Sequence, residues 1–426
     1  MRVLWLCNII LPRIASLMGV KASNKEGWLS GALEAVEKRE DIELGICFPV
    51  DRAHAGFTFK DVHSYFGFYE NTDSPEIYDP GLEERLSKIV ASFKPDVVHI
   101  FGTEYPHTLA MARVCADEPG RVLIGIQGIL DIYRSHFFDG LPERVINRVT
   151  FRDLLRRDSL KLQQKKYELR AVNEVDALKI AGNVTGRTPF DKEFTGKVNP
   201  NARYYHMNET LRKEFYEAVR REGEVEEYSV FLSQGNYPIK GAHYMIEALA
   251  DIKKQYPKTR VYIAGDNVTR HASVKDRLKL SSYGKYLLEL MQKYGLESSV
   301  VFLGSLNTED YIERLKKSHV FVCPSTIENS PNSLGEAMLL GVPCVTSDVG
   351  GIPGIFDRDR DGIMYPAGDI SALARAVKDV FADRETAKKR SESAAAHAKI
   401  THDPAANSAR LLDIYKEIFD ANRICV

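Results

Sequence analysis

Short apolar runs alternate with longer amphipathic runs along the whole chain, and this alternation constrains the fold more than any other feature. The short runs have the length of buried strands, and the longer ones have the length of helices. Strand–helix alternation of this kind is typical of parallel sheets built from βαβ units. The predicted strands are Val3–Cys7, Leu44–Phe48, Val97–Phe101, Val122–Gln127, Ala177–Ala181, Val230–Ser233, Val261–Ala264, Val300–Leu303, Val320–Cys323 and Cys344–Ser347.

These strands fall into two sets, which predict two doubly wound domains. A chain of 426 residues is also too long for one ordinary hydrophobic core. The boundary is expected near residues 206–228, where a charged helical stretch gives way to a new strand. We therefore predict a first domain at residues 1–206 and a second at 207–389, followed by an Ala-rich helical tail at about 390–426.

The bulk composition is that of a globular protein, with 44% hydrophobic and 27% charged residues. The net charge of −1 gives no global attraction for nucleic acid, so no nucleic-acid partner is expected. The six cysteines are scattered without a C-x-x-C pair, which is typical of reduced thiols. We see no signal peptide and no apolar run of the ~20 residues that a membrane-spanning helix needs. These features predict a cytoplasmic protein.

The segment Cys323–Asp348, CPSTIENSPNSLGEAMLLGVPCVTSD, carries the clearest chemical signal and places Glu328 and Glu336 eight residues apart. A predicted strand precedes it, and an apolar helix follows Gly335, so the carboxylates bracket a strand-to-helix turn. Open α/β sheets bind ligands at such turns. Backbone N–H groups at the helix start, from about Ser333 to Glu336, suit phosphate, and a carboxylate can accept two hydrogen bonds from a diol. Together these features indicate a nucleotide-sugar site.

The spacing Glu328-x7-Glu336, the following GVPCVTSDVGGIP and the upstream QGNYPIKG resemble family 4 of the retaining glycosyltransferases. The resemblance covers essentially the whole chain and is strongest from Phe231 to Asp369. It implies the GT-B fold, in which two doubly wound Rossmann-like domains enclose an interdomain cleft. It also implies an N-terminal acceptor-binding domain, a C-terminal nucleotide-sugar-binding domain and a tail that packs back on the first domain. IENSPNSLGEAM and SQGNYPIKG look most like enzymes of bacterial capsule or exopolysaccharide assembly.

The donor-side residues follow from this resemblance. Lys240 and Gly241 end a strand-to-helix loop where an ammonium could meet a diphosphate as a point charge. The resemblance implies that Lys240 stabilises the departing diphosphate, that Glu336 accepts from the ribose hydroxyls, and that Glu328 binds the donor sugar. Lys240 and Glu328 are the catalytic candidates. The other donor-binding candidates are Gly235, Gly304, Asn329, Ser333 and Leu334.

Simpler interpretations stand beside each of these roles. Lys240 could be a solvated loop lysine, Glu328 a solvated loop acid, and Glu336 a helix-start acid that complements the helix dipole. The chain also departs from the family pattern, which commonly carries an Arg five or six residues before the Lys. Those positions are Gly235 and Gln234 here.

The acceptor-side candidates lie in the first half of the chain. The loop Asn8–Gly27 follows the first strand, and the resemblance implies that Gly27 approaches the donor phosphate and the acceptor. Further candidates follow later strands. Arg187 could equally form a structural ion pair, and His107 could be a polar surface residue. Gln127 occupies a position where many relatives have a His, and a Gln cannot titrate. The further candidates are Glu104, His107, Gln127 and Arg187.

The segment Asp357–Gly362, DRDRDG, matches the opening of a calcium loop and a D-x-D metal–diphosphate pattern. The twelfth loop position is Gly368, where calcium would require a bidentate Glu. An acidic turn that ends in glycine is the simpler interpretation. Enzymes of the resembled family generally need no divalent metal, so we predict neither a metal nor another cofactor.

The segment 141–170 is basic and interleaved with apolar residues. Arginines recur every four residues from Arg144 to Arg156, and residues 144–170 contain nine Lys/Arg against three Asp/Glu. This pattern predicts either a plain solvated helix face or a peripheral contact with anionic lipid at the inner face of the membrane. A lipid-linked acceptor would make the second arrangement useful.

The function predicted from the sequence is retaining transfer of a sugar from a nucleotide-sugar donor to a glycan or lipid-linked acceptor, in cell-surface polysaccharide synthesis. Two alternatives remain open. One is a nucleotide-sugar epimerase or hydrolase on the same fold. The other is a catalytically silent protein that binds a nucleotide-sugar.

Overall fold

The computed structural model describes residues 1–20 and 27–424 and divides the chain into two compact units. The first comprises Met1–Arg134, Lys166–Arg212 and His402–Val426, and the second comprises Ser135–Lys165 and Lys213–Thr401. The predicted first domain included residues 135–165, which the structure groups with the second unit. One of the bonds that hold residues 135–165 on the second unit runs from the hydroxyl of Ser282 to the carbonyl of Val145, over 2.7 Å.

The first unit contains an eight-stranded sheet in the order β3-β4-β2-β1-β5-β6-β7-β8. All neighbouring strands are parallel except β3 and β4. The strands are β1 (Arg2–Leu6), β2 (Glu43–Val50), β3 (Thr58–Lys60), β4 (Ser64–Tyr69), β5 (Val97–Phe101), β6 (Val122–Gly125), β7 (Asn183–Gly186) and β8 (Arg203–His206).

The second unit contains a six-stranded sheet in the order β11-β10-β9-β12-β13-β14, with every pair parallel. Strand order reverses beside β9, which has β10 on one side and β12 on the other, and such a switch point is where open sheets bind ligands. The strands are β9 (Glu226–Leu232), β10 (Arg260–Ile263), β11 (Val300–Phe302), β12 (Ser318–Cys323), β13 (Cys344–Asp348) and β14 (Gly362–Pro366).

Helices connect the strands in both units, as parallel pairing requires. In the first half of the chain they are α1 (Pro12–Met18), α2 (Gly27–Glu37), α3 (Gly81–Phe93), α4 (Pro106–Val114), α5 (Leu130–Tyr133), α6 (Glu143–Ile146), α7 (Phe151–Arg156), α8 (Leu160–Ile180) and α9 (Pro189–Val198). In the second half they are α10 (Glu214–Glu217), α11 (Ala242–Gln255), α12 (Val274–Leu278), α13 (Ser282–Tyr294), α14 (Thr308–Lys316), α15 (Asn332–Leu339), α16 (Ile370–Ala382), α17 (Arg384–Thr401) and α18 (Pro404–Ile424).

The two parallel-rich sheets confirm the predicted α/β class, and nine of the ten predicted strands coincide with observed ones. The prediction at Ala177–Ala181 was wrong, because this apolar run forms the last turn of α8 and the strand β7 begins at Asn183. Ala177, Leu178 and Ala181 are buried at helical spacing, which a short apolar run does not distinguish from a strand. Strands β3, β4, β8 and β14 were also not predicted from the sequence.

The last helix, α18, completes the core of the first unit. Its buried residues recur at helical spacing and belong to the same apolar cluster as the buried Trp5 of β1. His99 on β5 bonds the hydroxyl of Tyr415 through Nδ1 at 2.7 Å. Residues from both ends of the chain therefore share one core. The buried residues of α18 are Leu411, Ile414, Tyr415 and Ile418.

Within the described residues, none of the helices combines the length and the apolar character needed to cross a membrane. The five cysteines in this part of the chain are all buried and unpaired with one another. Cys425 lies outside the described residues.

We expect Ile414→Ala to lower the free energy of unfolding of the first unit by roughly 2–5 kcal/mol, because Ile414 is fully buried and truncation leaves a cavity. Both tryptophans, Trp5 and Trp28, fall within the first unit, so urea unfolding followed by tryptophan fluorescence reports on it. Ile77→Ala, at a side chain of the same unit that is 65% exposed, is the control and should change little. Equal effects of the two substitutions would contradict the assignment of α18 to this core.

Candidate functional site

An ion pair lies at the switch point of the second sheet. The Nζ of Lys240 donates to Oε1 of Glu328 over 2.6 Å. Lys240 follows β9 and Glu328 follows β12, and these two strands are neighbours. The side chain of Glu328 is 7% exposed, whereas that of Lys240 keeps 20% exposure. The fold thus brings together two of the residues that the sequence analysis singled out.

Two glycines fix the loops that carry this pair. Gly241 has a φ of +67°, and a Cβ there would overlap the carbonyl oxygen of Pro324. Gly350 has a φ of +51°, and a Cβ there would overlap the carbonyl oxygen of Glu328. The N–H of Gly351 donates to that same Glu328 carbonyl over 3.0 Å. The Lys-Gly and Val-Gly-Gly motifs therefore serve close backbone packing around Glu328.

Ser325 orients the carboxylate of Glu328. Its hydroxyl donates to Oε1 over 2.8 Å, so this oxygen accepts from both a hydroxyl and an ammonium. The hydroxyl of Ser347 donates to the Ser325 carbonyl over 2.7 Å, which ties the loop to β13. Burial, with the nearby charge of Glu328, raises the pKa of the Cys323 thiol to about 11. Cys323 therefore stays protonated at neutral pH and offers no nucleophile.

Glu336 lies in the first turns of α15 and is only 5% exposed. Asn329, in the loop before α15, and Leu334, on α15, are buried as well. The helix begins at Asn332, and the N–H groups of Leu334 and Gly335 donate to the carbonyl of Pro331. The amides expected at Ser333–Glu336 are thus partly used within the helix. Pro331 at the N-cap provides no side-chain cap for the start of the helix.

The other two donor-side glycines differ in their surroundings. A Cβ at Gly235 would lie 2.7 Å from the Ile263 side chain and 3.0 Å from Ala242, so this glycine allows close packing of the loop on β10 and α11. Gly304 has a φ of +75° with open space around it, and its carbonyl accepts from the N–H of Gly265 over 2.9 Å. Gly304 thus leaves room for a ligand beside the backbone.

On the first sheet, Gln127 and Arg187 belong to one buried network. Nε2 of Gln127 donates to Oε1 of Glu209 over 2.6 Å, and Nη1 of Arg187 donates to Oε2 over 2.8 Å. The ring of His402 bonds the Glu209 carbonyl through Nδ1 at 2.7 Å. Glu209 was not predicted as a site residue because it follows β8, a strand that was itself not predicted. The sequence feature that could have identified Glu209 is a carboxylate three residues after the RYYH run.

His107 is fully buried, which corrects its interpretation as a polar surface residue. Its Nδ1 lies 2.5 Å from Oε2 of Glu70, and its Nε2 lies 2.8 Å from Oδ1 of Asn8. Glu104 accepts from the N–H of Gly128 over 3.2 Å. Asn8, Glu70 and Glu104 follow β1, β4 and β5, so these polar groups lie near the carboxyl ends of parallel strands of the first sheet.

Gly27 is the first residue of α2, and residues 21–26 of the predicted Asn8–Gly27 loop lie outside the described residues. The earlier part of that loop contains α1. The described portion is thus helical in part, which the sequence did not predict.

A buried carboxyl, Glu174 on α8, was also missed. Its Oε1 accepts from the hydroxyl of Thr103 over 2.5 Å, and its Oε2 accepts from the N–H of Asp131 over 2.9 Å. Burial raises the pKa of Glu174 to about 8. The two hydrogen bonds connect the loop that follows β5, where Glu104 lies, with the first turn of α5, which follows Gln127 in the chain.

The segment Asp357–Gly362 forms a turn whose carboxylates are engaged within the protein. Oδ2 of Asp361 accepts from the N–H of Asp357 over 2.9 Å and bonds Nδ1 of His397 at 2.6 Å. The guanidinium of Arg360 pairs with Asp357. Asp357, Asp361 and His397 could offer three ligand atoms to an ion, and the guanidinium of Arg360, which pairs with both carboxylates, balances one of their two negative charges.

Comparison with known proteins gives this geometry a context. Residues 214–397 match the family model described as "Glycosyl transferases group 1". This region includes the Lys240–Glu328 pair and α15. The match covers less than half of the chain, and the first unit lies wholly outside it.

Curated relatives match over a similar extent. Glycogen synthase of Mycobacterium tuberculosis is 27% identical over 164 residues, which is 38% of this chain and 36% of that protein. WcaL of Escherichia coli K12, named for a glycosyltransferase role in colanic acid biosynthesis, is 28% identical over 170 residues, 38% of each chain. The chain thus spans little more than a third of the length of these relatives.

Among solved structures, Anabaena HepE in complex with UDP has a TM-score of 0.67 at 14% identity, and the likeness covers 98% of this chain and 100% of that one. At this identity the likeness shows the fold alone. With the two observed sheets it confirms the expected GT-B fold.

We expect Gly241→Ala to destabilise the second unit by roughly 3 kcal/mol or more, since its Cβ would be strained at positive φ and would also overlap Pro324. The control is Gly295→Ala, at a φ of +66° with open space, which isolates the backbone strain of roughly 1–2 kcal/mol. Chemical unfolding followed by circular dichroism measures both. Equal losses would show that the contact with Pro324 is unimportant.

The pKa of Glu174 predicts a pH dependence of stability. Its folded-state pKa of about 8 lies above the ordinary 4.5, so between these values the folded protein holds a proton that the unfolded chain releases. The free energy of unfolding should therefore fall as pH rises from about 5 to 8, by up to about 1.4 kcal/mol per pH unit. Glu174→Gln should lack this contribution.

Urea unfolding followed by tryptophan fluorescence across this pH range tests the prediction. Glu40→Gln, at an exposed carboxyl of the same unit, should keep the wild-type slope. If Glu174→Gln also keeps that slope, Glu174 does not titrate as described.

Proposed function

We propose that this protein is a retaining glycosyltransferase of family 4. It transfers a sugar from a nucleotide-sugar donor to a glycan or lipid-linked acceptor in cell-surface polysaccharide synthesis. The observation that carries this proposal is the Lys240–Glu328 ion pair at the switch point of the second sheet, beside Glu336 on α15. The match of residues 214–397 to group 1 glycosyl transferases supports it.

The chemistry of the pair suits donor activation. The ammonium and the carboxylate are 2.6 Å apart, so one bound donor can meet both groups. Its diphosphate would attract the ammonium of Lys240, and its sugar hydroxyls would donate to Glu328. Glu336 would accept from the ribose hydroxyls, and Gly304 would lie along the base. A cation that stabilises the departing diphosphate lowers the barrier, because negative charge develops there in the transition state.

In the proposed transfer, the bond from the anomeric carbon to the diphosphate oxygen breaks, and a bond to the acceptor oxygen forms on the same face. The departing phosphate oxygen takes the proton of the acceptor hydroxyl. No side chain then has to act as a covalent nucleophile, which agrees with the protonated state of Cys323. The reaction as written uses neither a metal nor another cofactor.

The acceptor is proposed to bind on the first unit, at the carboxyl ends of its strands. There the buried Arg187–Glu209 pair and Gln127 shape the strand ends, and Glu104 and His107 follow β5. Gln127 cannot serve as a general base, which favours transfer over epimerisation. The relatives named for glycogen synthesis and colanic acid biosynthesis support a glycan product. A cytoplasmic location would give access to nucleotide-sugars.

Donor binding is tested by thermal unfolding of the wild type with UDP-, GDP-, ADP- and CMP-sugars. A donor at ~100 times its dissociation constant should stabilise the protein by about 2.7 kcal/mol. Glu336→Gln should lose most of this stabilisation, because a neutral amide accepts less strongly from a diol. Glu392→Gln, at an exposed site in the same unit, should keep it. If no sugar in the panel shifts the midpoint, the proposed donor site is wrong.

Turnover separates transfer from the alternatives. Release of free nucleotide that requires an acceptor indicates transfer, whereas release of free sugar without an acceptor indicates a hydrolase. Conversion of the donor to an epimer identifies an epimerase, and binding without turnover identifies a silent binder. Lys240→Ala should lower kcat by roughly 100-fold or more. The anomeric configuration of the product, read by NMR, tests retention.

A further inference from the structure

Helix α7 presents large apolar side chains to solvent. Phe151, Leu154 and Leu155 occupy positions i, i+3 and i+4, which lie on one helix face. They are 59%, 70% and 74% exposed. Scattered exposed apolar residues are ordinary, but three large ones on six residues of helix form a contiguous patch of the kind that marks an interaction site.

Hydrogen bonds on the buried side of α7 fix the position of this patch. Thr150 and Asp153 form a reciprocal capping box at the start of α7, and Asp153 is buried. Oδ2 of Asp153 also accepts from the N–H of Ser282 over 3.0 Å, which fastens α7 to the first turn of α13. The apolar face of α7 is therefore exposed by the fold of the second unit and not by local fraying of the helix.

The charges beside the patch are positive. Arg156, Arg157 and Lys161 are exposed and make no ion pair within the described residues. The only acids in residues 149–165 are Asp153 and Asp158, and Arg152 bonds both of them. Local charge is thus strongly positive, although the whole chain carries a net charge of −1.

Ion pairs and burial reduce the part of the basic segment 141–170 that is available for an interaction. Arg144 and Arg148 both pair with Glu289, so this carboxylate balances one of their two positive charges within the unit. Leu141 and Val145 are buried, and α6 and α7 are separate short helices, so no continuous amphipathic helix spans residues 141–170. The unpaired basic and exposed apolar side chains of this segment concentrate between residues 151 and 161.

We propose that this α7 surface, formed by Phe151, Leu154, Leu155, Arg156, Arg157 and Lys161, docks the protein on a membrane that contains anionic lipid. Apolar side chains would enter the boundary of the acyl chains while the basic ones meet lipid headgroups. Charge complementarity favours anionic lipid over a second copy of a chain whose net charge is near zero. The surface is distinct from the donor loops and does not rest on the transfer reaction.

Sedimentation with vesicles tests the proposal. The wild type should bind vesicles of phosphatidylcholine with phosphatidylglycerol, bind poorly to phosphatidylcholine alone, and lose binding as salt is raised. Leu154→Asn with Leu155→Asn should weaken binding by at least about tenfold, because the apolar contact is lost. Arg156→Gln with Arg157→Gln and Lys161→Gln should weaken binding to the anionic vesicles by at least about tenfold.

Matched controls separate the surface from general effects. Val219→Asn with Ile400→Asn removes apolar side chains that are 64% and 77% exposed elsewhere in the same unit, and it should leave binding unchanged. A triple control makes the same change of net charge on the first unit and should bind more tightly than the Arg156/Arg157/Lys161 variant. It carries Lys88→Gln, Lys179→Gln and Lys197→Gln.

Several results would overturn the proposal. These are failure of the wild type to bind the anionic vesicles, equal binding by the Leu154/Leu155 variant, and equal losses in the two charge variants. Concentration-dependent self-association of the wild type that the Leu154/Leu155 variant abolishes would assign the surface to a second copy instead. Circular dichroism melting checks that each variant is folded, which is expected because the substituted side chains are exposed.

Discussion

The carbonyl oxygens of Pro324 and Glu328 are the points on which the candidate donor site depends. Gly241 lies against the first and Gly350 against the second, so no other residue type fits at either place. These contacts join the loops that follow β9, β12 and β13, three neighbouring strands of one sheet. The Lys240–Glu328 ion pair forms where these loops meet. The backbone packing therefore sets the geometry of the ion pair, and the ion pair in turn joins two of the loops.

Much of this site could be predicted from the sequence because its signals are local. Apolar runs identified β9 and β12, and the glycines after them identified the turns. The sequence could not show that Lys240 and Glu328, 88 positions apart, bond each other, because the pairing depends on strand order. Nor could it show that Ser325 and Ser347 support Glu328, since a serine has no recognisable pattern before the loops are placed.

The first unit was harder to predict for a physical reason. Strand β8 lies at the sheet edge and buries one of its four residues, Tyr205, so it lacks an apolar run, and Glu209 beyond it was overlooked. Glu174 lies in the middle of a long polar helix, and only the tertiary fold buries it. In both cases the carboxylate gains its role from neighbours distant in sequence. The α/β class was predicted correctly because strand–helix alternation does not depend on such details.

Substitutions of the candidate residues in the two units differ in whether a loss of activity can be assigned to the chemistry or to folding. His107, Arg187 and Gln127 are each bonded to a carboxylate within the first unit, and the first two are buried. Removing Arg187 would leave the buried Glu209 carboxylate uncompensated, at a cost of roughly 3–5 kcal/mol. Removing His107 or Gln127 would leave a carboxyl group without one of its hydrogen-bond partners. Lost activity in such variants would therefore reflect folding before it reflected acceptor contact. Lys240 is different, since its side chain is one-fifth exposed and its loop is held by backbone contacts. A loss of turnover in a folded Lys240 variant therefore reports on chemistry.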